Sequence, residues 1–171
     1  MGIYTLYVTD DSSAVIKNDA GEIKWSTEKN RLATEEWISQ GRHITSQSGK
    51  YRLALQNNGN LELIRVADGT LLWSSNSAGP AGNYFCYMQG DGNLVIYKGT
   101  GPGDNQGFWW NTGVTGSNGL YQLIVTDDPK VAVKGPAGNI IWKNAGVFQL
   151  ANDEWIAQGQ FVVSPLGKYR L

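Results

Sequence analysis

The chain has 171 residues, 14 Lys and Arg against 15 Asp and Glu, 22 Gly, seven Trp and one Cys. That length supports a buried core without a covalent staple, and Cys86, being alone, excludes an intrachain disulfide. A net charge of −1 with no basic run excludes a partner held mainly by charge, nucleic acid above all.

No stretch approaches a membrane span, so no membrane insertion is expected. The opening Met1-Gly2-Ile3-Tyr4 lacks the basic and apolar regions of a secretory signal, and no Asn-x-Ser/Thr sequon occurs. These features lead to the expectation of a cytoplasmic protein.

In chain order, four hairpins are predicted, beginning near Tyr4, Tyr51, Tyr84 and Tyr121. Their turns are Asp10-Asp11-Ser12, Asn57-Asn58-Gly59, Gly90-Asp91-Gly92 and Asp127-Asp128-Pro129. All are residue types that tolerate or preset turn dihedrals. A Trp follows each hairpin on a third strand: Trp25, Trp73, Trp109 or Trp110, and Trp142. Period-2 alternation gives every unit one apolar face. The sets are Leu6, Val8, Ala14 and Ile16; Leu53, Leu55, Leu61 and Leu63; Cys86, Met88, Leu94 and Ile96; and Leu123, Val125, Val131 and Val133. Each is predicted to be core, with one Trp per unit filling a shared centre.

A longer period overlies this one. Tyr4–Lys17 returns as Tyr121–Lys134, an offset of 117, and Glu36–Gly41 returns as Glu154–Gly159, an offset of 118. One complete set of three units therefore spans 31–147. Residues 1–30 match the end of such a set and 148–171 its beginning. The two partial repeats are expected to pair into an additional sheet, since an open apolar edge invites aggregation. The expected fold is all-β, three antiparallel sheets built from internal repeats plus that fourth sheet.

The polar face of the third hairpin carries Gln89, Asp91, Asn93, Val95 and Tyr97. In one extended strand they would span about 27 Å. The turn instead sets Gln89 and Asn93 about 5 Å apart, with Asp91 over the end. A carboxylate, two amides, a phenol and one apolar surface suit a hexopyranose, whose hydroxyls donate and accept and whose C–H face is apolar.

Gln89-x-Asp91-x-Asn93-x-Val95-x-Tyr97 resembles, at all five positions, the mannose signature of the monocot mannose-binding (bulb-type) lectins. The run Gly159-Gln160, Ser164-Pro165 and Gly167–Leu171 is similar to the opening repeat of that domain. The resemblance implies a β-prism II and a non-catalytic lectin for mannose or mannose-rich glycans and glycoproteins. It also implies that Gln89, Asp91, Asn93 and Tyr97 bond the sugar hydroxyls while Val95 packs on the ring. Asp91 and Asn93 would read the axial 2-hydroxyl.

The other hairpins depart from the pattern. The second reads Gln56, Asn58, Asn60, Glu62 and Ile64, a possible weak or altered second site at Gln56, Asn58 and Asn60. The fourth reads Thr126, Asp128, Lys130, Ala132 and Lys134, and the first Thr9, Asp11, Ser13, Val15 and Lys17. Both are expected to be solvated polar faces. A second reading makes the scaffold a protein-interaction or antimicrobial module in which sugar is secondary.

An enzyme is disfavoured. His43, the only histidine, is expected to be a surface polar residue, and one His with one Cys makes neither a usual zinc set nor a nucleophile pair. No catalytic residue, metal or cofactor is expected. One strong site with a Kd near ~1 mM needs avidity, so a homo-oligomer is expected.

Overall fold

A computed structural model describes residues 2–8, 14–26 and 29–144. The first hairpin and its third strand form a three-stranded antiparallel sheet, β1 (Tyr4–Val8), β2 (Ala14–Asn18) and β3 (Ile23–Ser26). Three very short strands follow: β4 (Arg31–Ala33), β5 (Trp37–Ser39) and β6 (His43–Thr45). Then come β7 (Tyr51–Leu55), β8 (Leu61–Arg65) and β9 (Leu71–Ser74); β10 (Tyr84–Met88), β11 (Leu94–Gly99) and β12 (Asn105–Asn111); and β13 (Gln122–Val125), β14 (Val131–Lys134) and β15 (Ile140–Lys143).

Each later hairpin gains a fourth strand from the short segments. β6 pairs β7, β5 pairs β10 and β4 pairs β13, giving three four-stranded sheets. Residues 31–45 thus run past all three sheets and tie them together. Each short strand sends one apolar side chain inward: Leu32, Ile38 and Ile44, all buried. Burial of such a side chain contributes about 1.5–3 kcal/mol, which offsets the weak pairing of three-residue strands.

Between the three sheets lies one core. The inward sets of the second, third and fourth units are all buried, as their alternation predicts. Trp73, Trp110 and Trp142 meet edge to face, with ring centroids 6.3 Å apart for Trp73–Trp110 and 6.2 Å for Trp73–Trp142. Only Trp73 is buried; Trp110 and Trp142 are half-buried and pack against the core instead of filling a shared centre. The choice between Trp109 and Trp110 falls on Trp110. Trp109 packs instead against Tyr84.

The expectation for the first unit needs correction. Leu6 and Val8 are 63% and 79% exposed, whereas Leu123 and Val125, at the same repeat positions, are 0% and 5% exposed. Alternation marks a face as apolar but cannot supply what covers it. Among the described residues no strand lies beside the outer edge of β1. Residues 148–171, whose pairing with 1–30 is expected from the repeat, lie outside the described residues, as does the turn Asp10-Asp11-Ser12.

Candidate functional site

The third hairpin closes by two backbone bonds, Gln89 N–H to Asn93 O at 3.0 Å and Gly92 N–H to Gln89 O at 3.1 Å. The Asp91 carboxylate accepts the Asn93 N–H at 2.9 Å, an Asx-type turn that holds Asp91 over the end. Gly92 sits at φ +84, and a Cβ there would lie 2.7 Å from the Tyr121 ring. Only glycine meets both demands. Tyr121 is itself held by its hydroxyl on Ser117 O, and the Gly116 and Gly119 N–H groups donate to Asp91 O and Gly90 O. The turn is therefore strapped from outside by residues 116–121.

On this frame the five sequence-predicted residues share one face. Gln89 Nε2 donates to the Tyr97 hydroxyl at 2.8 Å, across the face that carries Val95. Val95 is 1% exposed and Asn93 9% exposed. Thr112 Oγ1 donates to Asn93 Oδ1 at 3.0 Å and accepts the Leu94 N–H at 3.2 Å, which orients the Asn93 amide. The Tyr97 ring stacks on Phe85 at 5.5 Å. Gln89 and Tyr97 therefore bond each other directly across this face.

Sequence reasoning missed three neighbours. Thr112 orients Asn93 from β12's end, 19 residues away. Tyr87 lies opposite Val95 in the ladder and donates its hydroxyl to Glu35, 52 residues away. That hydrogen bond, then burial and the Glu35 charge, push the Tyr87 phenol up to about 12. Glu35 has φ 65 and donates its N–H to Met88 O at 2.8 Å. No local signal couples residue 35 to the motif; the link exists only through β5 pairing with β10.

The other hairpins are arranged differently. In the second, Gln56 Nε2 and Asn60 Nδ2 both donate to Glu62, at 2.9 and 2.7 Å. Asn60 Oδ1 accepts from Ser74, Ser75 and the Ser77 N–H at 3.0–3.1 Å. Asn58 Oδ1 caps the Asn60 N–H at 3.1 Å, the same Asx turn that Asp91 makes. In the fourth, Asp128 pairs with Lys130 while Asp127 bonds Ser48, so the two carboxylates point apart. Thr9, Asp11 and Ser13 of the first lie outside the described residues, and Val15 is buried. His43 is half-buried on β6. Cys86 is fully buried in the core, and burial pushes its thiol up to about 12, so it offers no nucleophile.

Three sheets wrapped on one core, with hairpins presenting polar faces outward, define the class: a β-prism lectin. No family model matches the chain. A mannose-specific lectin of Aloe arborescens is 31% identical over 107 residues, 63% of this chain and 91% of that protein. The B-type lectin plumieribetin of Scorpaena plumieri is 27% identical, over 68% and 98% of the two chains. Among solved structures, a monomeric monocot mannose-binding lectin from Gastrodia elata superposes with a TM-score of 0.58 at 30% identity, covering 67% of this chain and 96% of its own. The snowdrop (Galanthus nivalis) mannose-specific agglutinin, solved with methyl α-D-mannoside, gives 0.53 at 27% identity, over 77% and 98%. The chain belongs to the bulb-type mannose-binding lectin family. It is a carbohydrate-binding lectin and not an enzyme.

Proposed function

We propose that this lectin binds mannose, as a terminal residue of mannose-containing glycans, at Gln89, Asp91, Asn93, Val95 and Tyr97. The observation that carries the reading is the convergence of the Gln89 amide and Tyr97 hydroxyl at 2.8 Å over one face, with Asp91 at its end. Those groups supply donors and acceptors to adjacent hydroxyls. Mannoside-specific relatives support the choice of sugar. Net hydrogen bonds contribute about 0.5–1.5 kcal/mol each, so a Kd near ~1 mM is expected for one mannose. Calorimetric titration of methyl α-mannoside into the wild type and Asp91→Ala tests this. Binding that vanishes in a folded variant supports the site; binding that survives moves it elsewhere.

We further propose a homo-oligomer, because millimolar sites need linkage to give avidity, which adds roughly 10²–10⁴. The exposed strand β1, with Tyr4 62% and Leu6 63% exposed, supports contact with a second copy. Sedimentation of the wild type and Leu6→Lys tests it. A wild type that is monomeric at all concentrations overturns the proposal.

A further inference from the structure

The ladder of the sheet formed by β5, β10, β11 and β12 contains a register shift between Ile96 and Tyr97. Asn111 pairs Val95 and Trp110 pairs Ile96, but Tyr97 pairs Phe108, so Trp109 is the extra, bulged residue. Strict alternation would have turned Phe108 towards the core. The bulge returns it to the outer face, beside Tyr97, where it is 60% exposed. The result is a row across three strands, Phe85–Tyr97–Phe108, with the last residue of the motif at its middle.

The same row in the other two four-stranded sheets reads Arg52–Ile64–Leu71 and Gln122–Lys134–Ile140. An apolar residue at the outer position belongs to the repeat, as Leu71 and Ile140 are about as exposed as Phe108. An aromatic there, continuous with an aromatic motif residue, occurs only on the sheet that carries the full motif. The other two members of the row are held in place: Phe85 is wholly buried, stacked on Tyr97 and met edge-on by Trp37 at 6.0 Å.

We propose that Phe108 forms a second sugar subsite, on which the pyranose ring linked to the bound mannose packs its C–H face. The inference rests on the mannose reading of the adjoining motif. A flat aromatic ring with few torsions to restrict offers a large apolar contact at small entropic cost. Phe108 pairs with Tyr97 in the ladder, which places it beside the first ring's site. The occupant is therefore an oligosaccharide with a mannose at one end, not an apolar peptide: the surface grows out of a cluster of four hydrogen-bonding side chains, Gln89, Asp91, Asn93 and Tyr97.

The test titrates methyl α-mannoside and the α1-2, α1-3 and α1-6 mannobiosides into the wild type, Phe108→Ala and Phe108→Trp. At least one mannobioside should bind the wild type about tenfold tighter than the monosaccharide. Phe108→Ala should lose that gain while binding the monosaccharide unchanged, and Phe108→Trp should keep it. Phe108→Ala weakening both sugars equally, or leaving the gain intact, overturns the subsite. So does a wild type that binds all the sugars alike, an outcome that leaves the mannose reading standing. A wild type that binds none of them overturns both.

Discussion

The hairpins Gln56–Ile64 and Gln89–Tyr97 have the same backbone. Both close with an N–H to O bond between motif positions one and five, both leave three residues in the turn, and both cap position five from position three. In both, a hydroxyl from the third strand's end receives the next N–H, Ser75 for Leu61 and Thr112 for Leu94. What differs is where the amides spend their bonds. Glu62 draws in Gln56 and Asn60, and three serines take Asn60 Oδ1. At the third hairpin Val95 replaces that carboxylate, and Gln89 instead holds the hydroxyl of Tyr97. The proposed site is thus the hairpin whose polar groups the fold leaves incompletely occupied. At the second hairpin Glu62 and the three serines together take those groups.

The largest expected effect converts one hairpin into the other. Asn58→Asp, Glu62→Val and Ile64→Tyr together restore the five motif positions on the second hairpin. Calorimetry or ligand-observed NMR with methyl α-mannoside should then count two sites per chain instead of one. Glu62→Val alone frees the amides without supplying a carboxylate or phenol, and should add none. A triple variant that still counts one site would show that the serines around Asn60, rather than Glu62, close the hairpin.

The same difference should appear in stability. Asn60→Ala removes partners from the buried Ser74 and Ser77 N–H and from the half-buried Ser75 and Glu62, and should cost about 2–3 kcal/mol. Asn93→Ala removes chiefly the Thr112 bond and should cost about 1 kcal/mol. Urea unfolding measures both. Equal losses would mean that the two asparagines are held alike.

Much of this was legible in the sequence. Alternation marked all four inward residues of the second, third and fourth hairpins correctly, because turns of equal length and one buried face determine register. It misjudged Leu6 and Val8, since burial depends on a facing element that no local pattern reports. The dispersal of β4, β5 and β6 into three sheets was also out of reach: strands of three residues are too short to show a period. At the site, the motif's spacing brought its own residues together, but Glu35, Tyr87 and Thr112 joined through pairings 19 to 52 residues long. The sequestration of Asn60 was invisible for the same reason. Its serine partners lie 14 to 17 residues on.

Thr112 gives a smaller, sharper probe of the hairpin proposed to bind mannose. Thr112→Val keeps the shape and removes the group that orients Asn93 and receives the Leu94 N–H. Stability should fall by about 1 kcal/mol and mannoside affinity by about threefold to tenfold. Thr112→Ser should restore both. Loss of stability with unchanged affinity would show that Asn93 needs no orienting partner to bind.

The smallest effect concerns how β5 is delivered to the site's sheet. Glu36 accepts the Ala33 N–H at 2.9 Å and lies 3.2 Å from Lys29, while its N-terminal neighbour Glu35 and its own carbonyl both bond Met88. The Ala33 N–H, opposed by partial burial and helped by Lys29, holds the Glu36 carboxyl below the usual carboxylate range. A depressed folded-state pKa stabilises above the unfolded value and loses that contribution as pH falls through the folded one. Glu36→Gln keeps an acceptor for Ala33 but has no charge to lose. Thermal midpoints of the two proteins should therefore differ near neutral pH and converge as pH falls through the lowered Glu36 value, beneath the ordinary carboxylate range. Because Glu36 is substantially exposed and its charge screened by solvent, the gap should also shrink in high salt. A gap that persists in acid would assign the stabilisation to the neutral hydrogen bond, and the turn between β4 and β5 would then hold the site's edge strand without help from charge.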